Sequence, residues 1–276
     1  ARPLDRDPEE ANTLVKEILI GVTNFFRDPA FFEKLKSGAI YHIVQNASEN
    51  EPIRVWSAGC STGEEAYSIA ILFHEILEEM NVKRDIKIFA TDIDIKAIEQ
   101  AGRGVFSENI VDDVTPERLA KYFTKRGDQY HISKEIRRMI IFAPHNMLSD
   151  PPFGKLDLIS CRNVMIYFQP ILQRGLFAIF HSALKNGGYL FLGKSETANE
   201  YSNVFQTAYG AEKIYIHNGA AKQANLTPPT FHIPNIQTSI PKTMASPGTD
   251  SEDYTMETVY TRFLESYMPA SVILNE

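Results

Sequence analysis

An α/β fold with a mostly parallel β-sheet is the fold class that the sequence predicts, and two observations predict it. Short runs of β-forming residues alternate with longer runs whose apolar residues recur at helical spacing. A turn of small residues, Gly59 to Gly63, joins a strand directly to a long helix, which is how a βαβ unit begins. Strands are expected at 53–58, 86–90, 156–160, 189–193 and 212–216, and helices at 66–80, 95–101 and 172–184. Such sheets bind ligands at the carboxyl ends of their strands, so candidate site residues are sought there.

Length and composition set the first limits. With 276 residues, 43% hydrophobic and 23% charged, the chain suits one α/β domain of about 200 residues plus something smaller. The net charge of -7 argues against a nucleic-acid partner, because neutralising phosphates requires a basic face. Two cysteines, Cys60 and Cys161, predict a reducing, cytoplasmic compartment, and without paired histidines they predict no metal site. No apolar run reaches the about 18 residues of a membrane span, and the polar start does not resemble a signal peptide.

The segments outside this alternation have patterns of their own. A short helix is expected at 8–19, and Asp28-Pro29 is expected to cap a helix running to about residue 44. Asn186 to Gly188 predict the end of the helix at 172–184. Between residues 103 and 138 the alternation of strands and helices is interrupted, and short strands are expected at 130–132 and 139–143. Residues 217–253 read as a linker, and a helix and a strand follow within 254–276. The start without methionine and the apolar end predict an excerpt from a longer protein.

Polar or small residues follow three of the expected strands. Small residues at Gly59 allow a ligand to approach the backbone, and the helix beyond supplies amide donors; the alternative is a simple tight connection. The turn is neither a P-loop nor a dinucleotide fingerprint. Asp92 ends the second strand, where a carboxylate can hold a ribose diol; the alternative is a helix N-cap, for which Asp94 competes. Cys161-Arg162-Asn163 follows the strand at 156–160 and is expected to face the same cleft as Gly59.

Six motifs in order make the chain recognisable. TNFFRD, VWSAGCSTGEEAYSIA, ATDID, HNML, CRNVMIYF and LKNGGYLFLGKSE occur between Thr23 and Glu196. Together they resemble the CheR-type chemotaxis protein-glutamate methyltransferase domain, and the resemblance covers residues 21–216. It implies a Rossmann-like S-adenosylmethionine-dependent methyltransferase fold with a small antiparallel β subdomain inserted at 103–142. It also implies transfer of a methyl group from S-adenosylmethionine to glutamate carboxylates of a methyl-accepting chemoreceptor or similar signalling protein, with S-adenosylhomocysteine as the product.

The resemblance also implies roles for individual residues. Arg27 and Tyr167 match positions beside the methyl group that is transferred. Their alternatives are a surface arginine and a packed aromatic residue, and the alternative for Glu64 is favourable charge in a first helical turn. Cofactor contacts are implied for Thr23, Arg27, Ala58, Gly59, Glu64, Asp92, Asn146, Met147, Arg162 and Asn163, with Asn146 and Met147 beside the adenine. Gly21 replaces an asparagine of the family, so the side-chain contact of that asparagine is not implied for this chain.

The implied reaction is direct displacement by a carboxylate. A glutamate carboxyl has a pKa near 4.3, so it is already the nucleophile at neutral pH and needs no general base. The carboxylate anion and the sulfonium cation become two neutral species, the ester and the thioether. Alignment of the reacting groups and removal of water should favour that step. This is consistent with a sequence that shows no Ser-His-Asp or Cys-His constellation.

The sequence departs from the family pattern at its ends and in one turn. Only about 20 residues precede the TNFFRD motif, where the family has a helical domain of about 70 residues that helps to grip the receptor. The turn at 125–129 is short, which disfavours capture of a receptor peptide by strand addition. The expected division is a helical remnant at 1–45, a catalytic domain at 46–216, a linker at 217–253 and the start of a PAS-like domain at 254–276. Fused sensor or esterase domains are therefore expected, and two alternatives stay open: a cofactor-binding signalling module with little catalysis, and a small-molecule methyltransferase.

Overall fold

The structure is a computed structural model, and it describes residues 23–219. Its first elements form one long helical stretch, with a π-helical segment at Lys36–Ile40 between two α-helices. Short 3-10 helices lie at Glu108–Asp112, Met165–Tyr167 and Asn199–Tyr201. The helices are α1 (Pro29–Leu35), α2 (Tyr41–Asn46), α3 (Glu64–Glu79), α4 (Ile95–Arg103), α5 (Pro116–Tyr122), α6 (Lys134–Arg137) and α7 (Pro170–Ala183). The strands are β1 (Ile53–Ala58), β2 (Ile86–Asp92), β3 (Val105–Ser107), β4 (Phe123–Arg126), β5 (Gln129–Ile132), β6 (Ile140–Pro144), β7 (Leu156–Cys161), β8 (Leu184–Leu192), β9 (Phe205–Tyr209) and β10 (Ile214–His217).

Seven strands form the main sheet, in the order β6-β2-β1-β7-β8-β10-β9. The pairs from β6 to β8 are all parallel, and β10 runs antiparallel to both of its neighbours. This confirms the predicted Rossmann-like, mostly parallel sheet. The strand order reverses between β1 and β7, and in open α/β sheets that reversal leaves a crevice at the carboxyl ends of the strands.

Both faces of the sheet are covered, which explains why its strands are apolar at nearly every position. Val55 belongs to a core cluster that includes the long helix α3, whereas the next residue, Trp56, belongs to the cluster around α7 on the other face. Both side chains are fully buried. Successive side chains of a strand point to opposite faces, so this alternation gives each layer of helices its own apolar surface.

A second, small sheet has the order β3-β5-β4 and is antiparallel. Its aromatic side chains face the main domain: Phe106 lies 4.8 Å from Phe25 and 5.6 Å from Tyr67, measured between ring centroids. The expected inserted subdomain is therefore present. One strand was grouped wrongly, because β6 pairs with β2 at the edge of the main sheet and does not join β5. Both are short apolar strands after polar turns, and sequence alone does not separate them.

One boundary prediction needs correction, and a second holds with a different role for its side chain. Asn186 to Gly188 do not cap a helix: α7 ends at Ala183, β8 begins at Leu184, and Gly187 adopts a φ of 79° within the strand. Glycine in a strand commonly marks such an irregularity, and the register of β7 with β8 shifts here. Asp28 does hold the N-cap position of α1, but its side chain makes no capping hydrogen bond and has another partner, described below.

The two termini of the described chain lie at opposite ends of the strands of the main sheet. Thr23 lines the crevice at the carboxyl ends of the parallel strands. Because β10 is antiparallel to β8, the chain returns to the amino ends of the parallel strands. There the Gly219 amide donates to Asn186 Oδ1 over 2.9 Å. Of the described helices, none is long and apolar enough to cross a membrane. The helix expected at 8–19, most of the expected linker and the PAS-like segment at 254–276 lie outside the described residues.

Candidate active site

A cavity of about 320 Å³ occupies the crevice at the strand ends, within the range of small-molecule sites. It lies where β1, β2 and β7 end, beside the N-terminal ends of α3 and α4. All but two of the predicted site residues line it: Thr23, Arg27, Gly59, Asp92, Asn146, Met147, Arg162, Asn163 and Tyr167. The two that do not line it are Ala58, which is buried at the end of β1, and Glu64.

The turn after β1 is fixed to its neighbours on both sides. The amides of Gly59 and Cys60 both donate to the Thr91 carbonyl at the end of β2, over 2.8 and 2.9 Å. Gly59 has a φ of 77°, and a Cβ there would stand 2.5 Å from a methyl carbon of Val164. Glycine is therefore required for close approach of the loop after β7, in addition to any approach by a ligand.

Asp92 and Asp94 divide the two tasks that the sequence left open between them. Asp94 is the N-cap of α4, since its carboxylate accepts the Lys96 amide over 2.9 Å. The Asp92 oxygens accept the amides of Ser61 and Asp94, over 2.8 and 3.0 Å. Each carboxylate oxygen has a second lone pair, so Asp92 keeps acceptor capacity beside the cavity. This arrangement fits a group that holds a diol, and the ribose role stays a prediction.

The two glutamates at the start of α3 differ in orientation. Glu65 lines the cavity and accepts hydrogen bonds from the hydroxyls of Ser160, over 2.7 Å, and Ser57, over 3.3 Å. Glu64 instead accepts from the Thr62 hydroxyl over 2.7 Å. Burial raises the pKa of the Glu64 carboxyl, and the Thr62 hydroxyl opposes that rise. Glu65 was not among the residues selected from the sequence, and the cofactor role of Glu64, which the family resemblance implied, stays a prediction.

The loop after β6 forms another part of the cavity lining. Asn146 folds this loop, since its side-chain oxygen accepts the Leu148 amide over 3.0 Å and its own amide donates to Asp150 over 2.7 Å. His145 also lines the cavity and packs edge-on against Trp56 at 5.6 Å between centroids. Burial lowers the pKa of His145, so it provides a neutral, flat surface beside Met147. The apolar surface fits a planar heterocycle.

Arg27 enters the cavity from a turn with unusual backbone geometry. Phe26 and Asp28, on either side of it, have φ values of 49° and 63°. Non-glycine residues in this region cost about 1–3 kcal/mol each and persist where their surroundings enforce them, often at functional sites. The Phe26 amide donates to Ser68 Oγ over 3.0 Å, and the Phe26 ring is buried. The turn that carries Arg27 is therefore anchored by this hydrogen bond and by the burial of the Phe26 ring.

Arg162 has a buried side chain whose hydrogen bonds are directed to protein groups. Its Nη2 donates to the Arg27 carbonyl over 2.9 Å and to Asp28 Oδ2 over 2.8 Å, and its Nη1 donates to Glu65 Oε2 over 3.4 Å. The expected partner of Asp28 was a helix end, and its actual partner is this guanidinium. The sequence separation of 134 residues explains why the pair could not be predicted from local pattern.

Asn163 to Tyr167 form a loop organised by a glutamate that the sequence analysis did not select. Asn163 has a φ of 59°, and Tyr167 ends a 3-10 turn with 43% of its surface exposed. Glu196, 5% exposed, accepts amide hydrogen bonds of 2.7–3.0 Å. Its four donors are the amides of Asn163, Val164, Met165 and Gly193. Burial raises the pKa of Glu196 against the opposing effect of these amides. The sequence did contain a signal for Glu196, because it is the last residue of the last recognised motif.

Comparison with known proteins assigns the fold and site to one family. Residues 21–214 match the family model described as CheR methyltransferase, SAM binding domain. An uncharacterized 104.1 kDa protein of Rhodobacter capsulatus is 44% identical over 220 residues, which are 79% of this chain and 23% of that protein. A chemotaxis protein methyltransferase of Borreliella burgdorferi is 36% identical over 196 residues, 69% of each chain. Chemotaxis protein methyltransferase 2 of Vibrio cholerae is 35% identical over 201 residues, 71% of this chain and 69% of that one.

Solved structures resemble the chain only distantly. A TehB-like SAM-dependent methyltransferase from Corynebacterium glutamicum is 11% identical, with a TM-score of 0.37 over 76% of this chain and 97% of that one. The family match, by contrast, extends from just before Thr23 to the start of β10, so it includes every residue that lines the cavity. The chain belongs to the CheR methyltransferase family and carries its S-adenosylmethionine-dependent methyltransferase domain.

Proposed function

We propose that this protein transfers the methyl group of S-adenosylmethionine to glutamate side-chain carboxylates of a methyl-accepting chemoreceptor or similar signalling protein, giving a methyl ester. The observation that carries the proposal is the presentation of Arg27 on a strained, anchored turn in the cavity wall. A fixed guanidinium is a suitable partner for a carboxylate, because it offers donors in a planar fork.

The cavity has groups that suit each part of the cofactor. Asp92 has acceptor capacity for a diol, His145 and Met147 offer a flat apolar surface, and the amino end of α3 offers amide donors to a carboxylate. When bound, the cofactor supplies an electrophilic methyl group on a sulfonium. The proposed cofactor residues are Thr23, Arg27, Ala58, Gly59, Glu64, Asp92, Asn146, Met147, Arg162 and Asn163.

The protein's own contribution to the reaction is orientation and removal of water. The glutamate carboxylate is ionised near neutral pH, so no residue has to remove a proton. Arg27 would hold that carboxylate in line with the methyl group. Tyr167, at the end of the loop after β7, would limit the space around the methyl group. Anion and cation cancel as the ester forms, and fixed geometry in a water-poor cavity favours that step.

The rim of the cavity supports a protein substrate over a small molecule. Ile93 and Tyr167 line the cavity and remain 47% and 43% exposed. Exposed apolar side chains also occur at residues close to these two in sequence, namely Ile95, Ile166, Ile171 and Leu172. Contiguous exposed apolar surface is one mark of a protein-interaction site. We infer that this rim contacts the protein that carries the accepting glutamate.

The setting of the domain is also part of the proposal. Cys60 and Cys161 are both free thiols, which supports the cytoplasm as the compartment. The Rhodobacter capsulatus relative matches this chain over only 23% of its length, which supports a domain that belongs to a longer protein. Fused sensor or esterase domains are part of this proposal.

The test is methyl transfer from radiolabelled S-adenosylmethionine to the cytoplasmic fragment of a chemoreceptor, followed by mild alkali. Alkali-labile label on the fragment, absent when its methylatable glutamates are changed to alanine, is expected. Binding of S-adenosylhomocysteine without transfer would instead support the cofactor-binding signalling module. Transfer to small carboxylic acids alone would support the small-molecule methyltransferase.

A further inference from the structure

Arg162 is the most deeply buried charge beside the cavity. Its side chain is 0% exposed, and its guanidinium lies 5.0 Å from the centroid of the Phe32 ring and 4.8 Å from that of Phe191. A buried cation is retained only when it is paired and hydrogen bonded. The identity of its partners therefore indicates what Arg162 stabilises.

Those partners are parts of the protein that meet behind the cavity. Nη2 directs its two hydrogens to the Arg27 carbonyl and the Asp28 carboxylate, and Nη1 contacts Glu65. Glu65 is in turn held by Ser160 at the end of β7 and by Ser57 in β1. The guanidinium thus connects the turn that carries Arg27 to the ends of the central strands.

The directions of these bonds argue against direct contact between Arg162 and a ligand. Nη2 has no hydrogen left for one. Nε has no hydrogen-bond partner among the described residues, and this atom is buried. Arg162 is part of the cavity lining, but its side chain is 0% exposed and three of its five N–H groups are directed to protein acceptors.

The turn that Arg162 holds is one that requires holding. Both neighbours of Arg27 have left-handed backbone geometry, and the Arg27 carbonyl lies between them. Strained conformations of this kind persist only when the surroundings over-determine them. Other contacts of this turn include the Ser68 hydroxyl on the Phe26 amide, the Phe31 amide on the Asp28 carbonyl and the packing of the buried Phe26 ring.

We propose that Arg162 is a positioning residue, which fixes the 26–28 turn so that the Arg27 side chain enters the cavity, and that it does not itself bind the cofactor. The kinetic part of this inference rests on the proposed function; the structural part does not. It assigns Arg162 a different role from the one that the family resemblance implied.

The main test is Arg162→Lys, measured in the whole protein. Lysine keeps the charge but has no planar fork, so it cannot reach Arg27, Asp28 and Glu65 together. We expect kcat to fall about tenfold or more, because misplacing a catalytic group by about 1 Å has effects of that size or larger. The dissociation constant of S-adenosylhomocysteine is expected to stay within about threefold, and hydrogen–deuterium exchange across residues 24–31 is expected to accelerate.

Arg54→Lys is the matched control. Arg54 also donates to a carbonyl, that of Gly154 over 3.0 Å, and stacks on a ring, that of Phe89 at 4.8 Å. It lies near the start of β1, whereas the cavity lies at the carboxyl end of that strand. Its replacement should leave kcat and the exchange of residues 24–31 unchanged.

Asp28→Ala tests the same link from its other end. The Asp28 side chain is 31% exposed, so its loss is easier to tolerate than that of Arg162. Asp28→Ala should accelerate exchange across 24–31, whereas Asp28→Asn, which keeps an acceptor oxygen, should do so less. This pair decides the question if Arg162→Lys does not fold.

The outcomes separate the two proposals. Weakened S-adenosylhomocysteine binding in proportion to the loss of kcat would show that Arg162 is a ligand, and the inference would be overturned. Unchanged exchange in Arg162→Lys or Asp28→Ala would overturn it as well. If the wild-type protein transferred no methyl group to any receptor fragment, the proposed function would fail, but faster exchange with unchanged binding would still support positioning.

Discussion

The cavity has two contrasting walls. The first, which we call the Arg27 wall, consists of Arg27, Arg162 and the loop from Asn163 to Tyr167; the second, the Asp92 wall, consists of Gly59, Ser61, Asp92 and Ile93. In the Arg27 wall Arg162 donates to the Arg27 carbonyl, Asp28 and Glu65, and Glu196, behind the wall, accepts the amides of its loop. In the Asp92 wall the carboxylate accepts two amides and retains further acceptor capacity.

The difference indicates a division of labour. A wall whose groups are held by hydrogen bonds from the protein behind it keeps its shape whether or not a ligand is present, which suits the positioning of reacting groups. A wall with acceptor capacity left over gains hydrogen bonds when a ligand arrives, which suits affinity. Substitutions in the first wall should therefore reduce turnover or stability, and substitutions in the second should reduce cofactor affinity.

Arg27→Ala should have the largest effect on the reaction. Turnover is expected to fall about 100-fold or more, as when one donor to a reacting oxyanion is removed. The melting temperature should change little, because the side chain borders a cavity. Initial rates of label transfer and thermal unfolding measure the two effects. Arg138→Ala, an exposed arginine just before β6, is the control, and an Arg27→Ala variant with near-normal transfer would contradict the assignment.

Glu196→Ala should have the largest effect on stability. It leaves four amides without their acceptor, and we expect a loss of about 3 kcal/mol or more in the free energy of unfolding, measured in urea. Binding of S-adenosylhomocysteine should weaken too, because Asn163 and Val164 would lose their support. Glu196→Gln keeps one carbonyl oxygen and should be intermediate. A loss below about 1 kcal/mol would show that water replaces the carboxylate.

Asp92→Asn tests the second wall. Removing one charged acceptor of a hydroxyl is expected to weaken S-adenosylhomocysteine binding roughly 10- to 100-fold by calorimetry. Stability should change less, since the amide oxygen still accepts one of the two backbone donors. Asp94→Asn keeps an efficient helix cap and should weaken binding much less. Equal losses from the two substitutions would remove the distinction between them.

Glu64→Gln should have the smallest effect, and its sign depends on pH. Burial raises the pKa of Glu64 above its ordinary value, so the native state binds its proton more tightly than the unfolded state does. Its contribution to stability is therefore present at low pH and lost as the pH rises from about 4.5 through the raised pKa. The stability of Glu64→Gln relative to wild type should increase across that window in urea titrations from pH 4 to pH 8. A relative stability that fell with rising pH would contradict this.

The fold was more accessible from the sequence than the site was. The parallel strands are long and apolar, so periodicity and the small-residue turn were sufficient to predict them. The short strands β3, β4 and β9 were missed, because their sequences VFS, FTKR and FQTAY mix polar with apolar residues and contain no continuous apolar run. At Asn186 to Gly188, a turn-like composition falls inside β8, where the register with β7 shifts.

Within the site, the positions of single residues could be predicted, and their partners could not. Arg162 was placed at the end of β7 correctly, yet its contacts with Arg27 and Asp28 span more than 130 residues of sequence. The choice between Glu64 and Glu65 depends on helical phase. The roles of all these side chains toward the cofactor stay predictions until binding is measured.

The antiparallel direction of β10 has a practical consequence for experiments. It brings the chain to Gly219 at the edge of the sheet farthest from the cavity, whereas Thr23 lies at the cavity itself. A fluorophore or surface anchor attached shortly after Gly219 therefore leaves the mouth of the cavity open to a receptor fragment. One attached just before Thr23 would crowd that mouth. Immobilised binding assays on this domain should accordingly be tethered through the segment that follows β10.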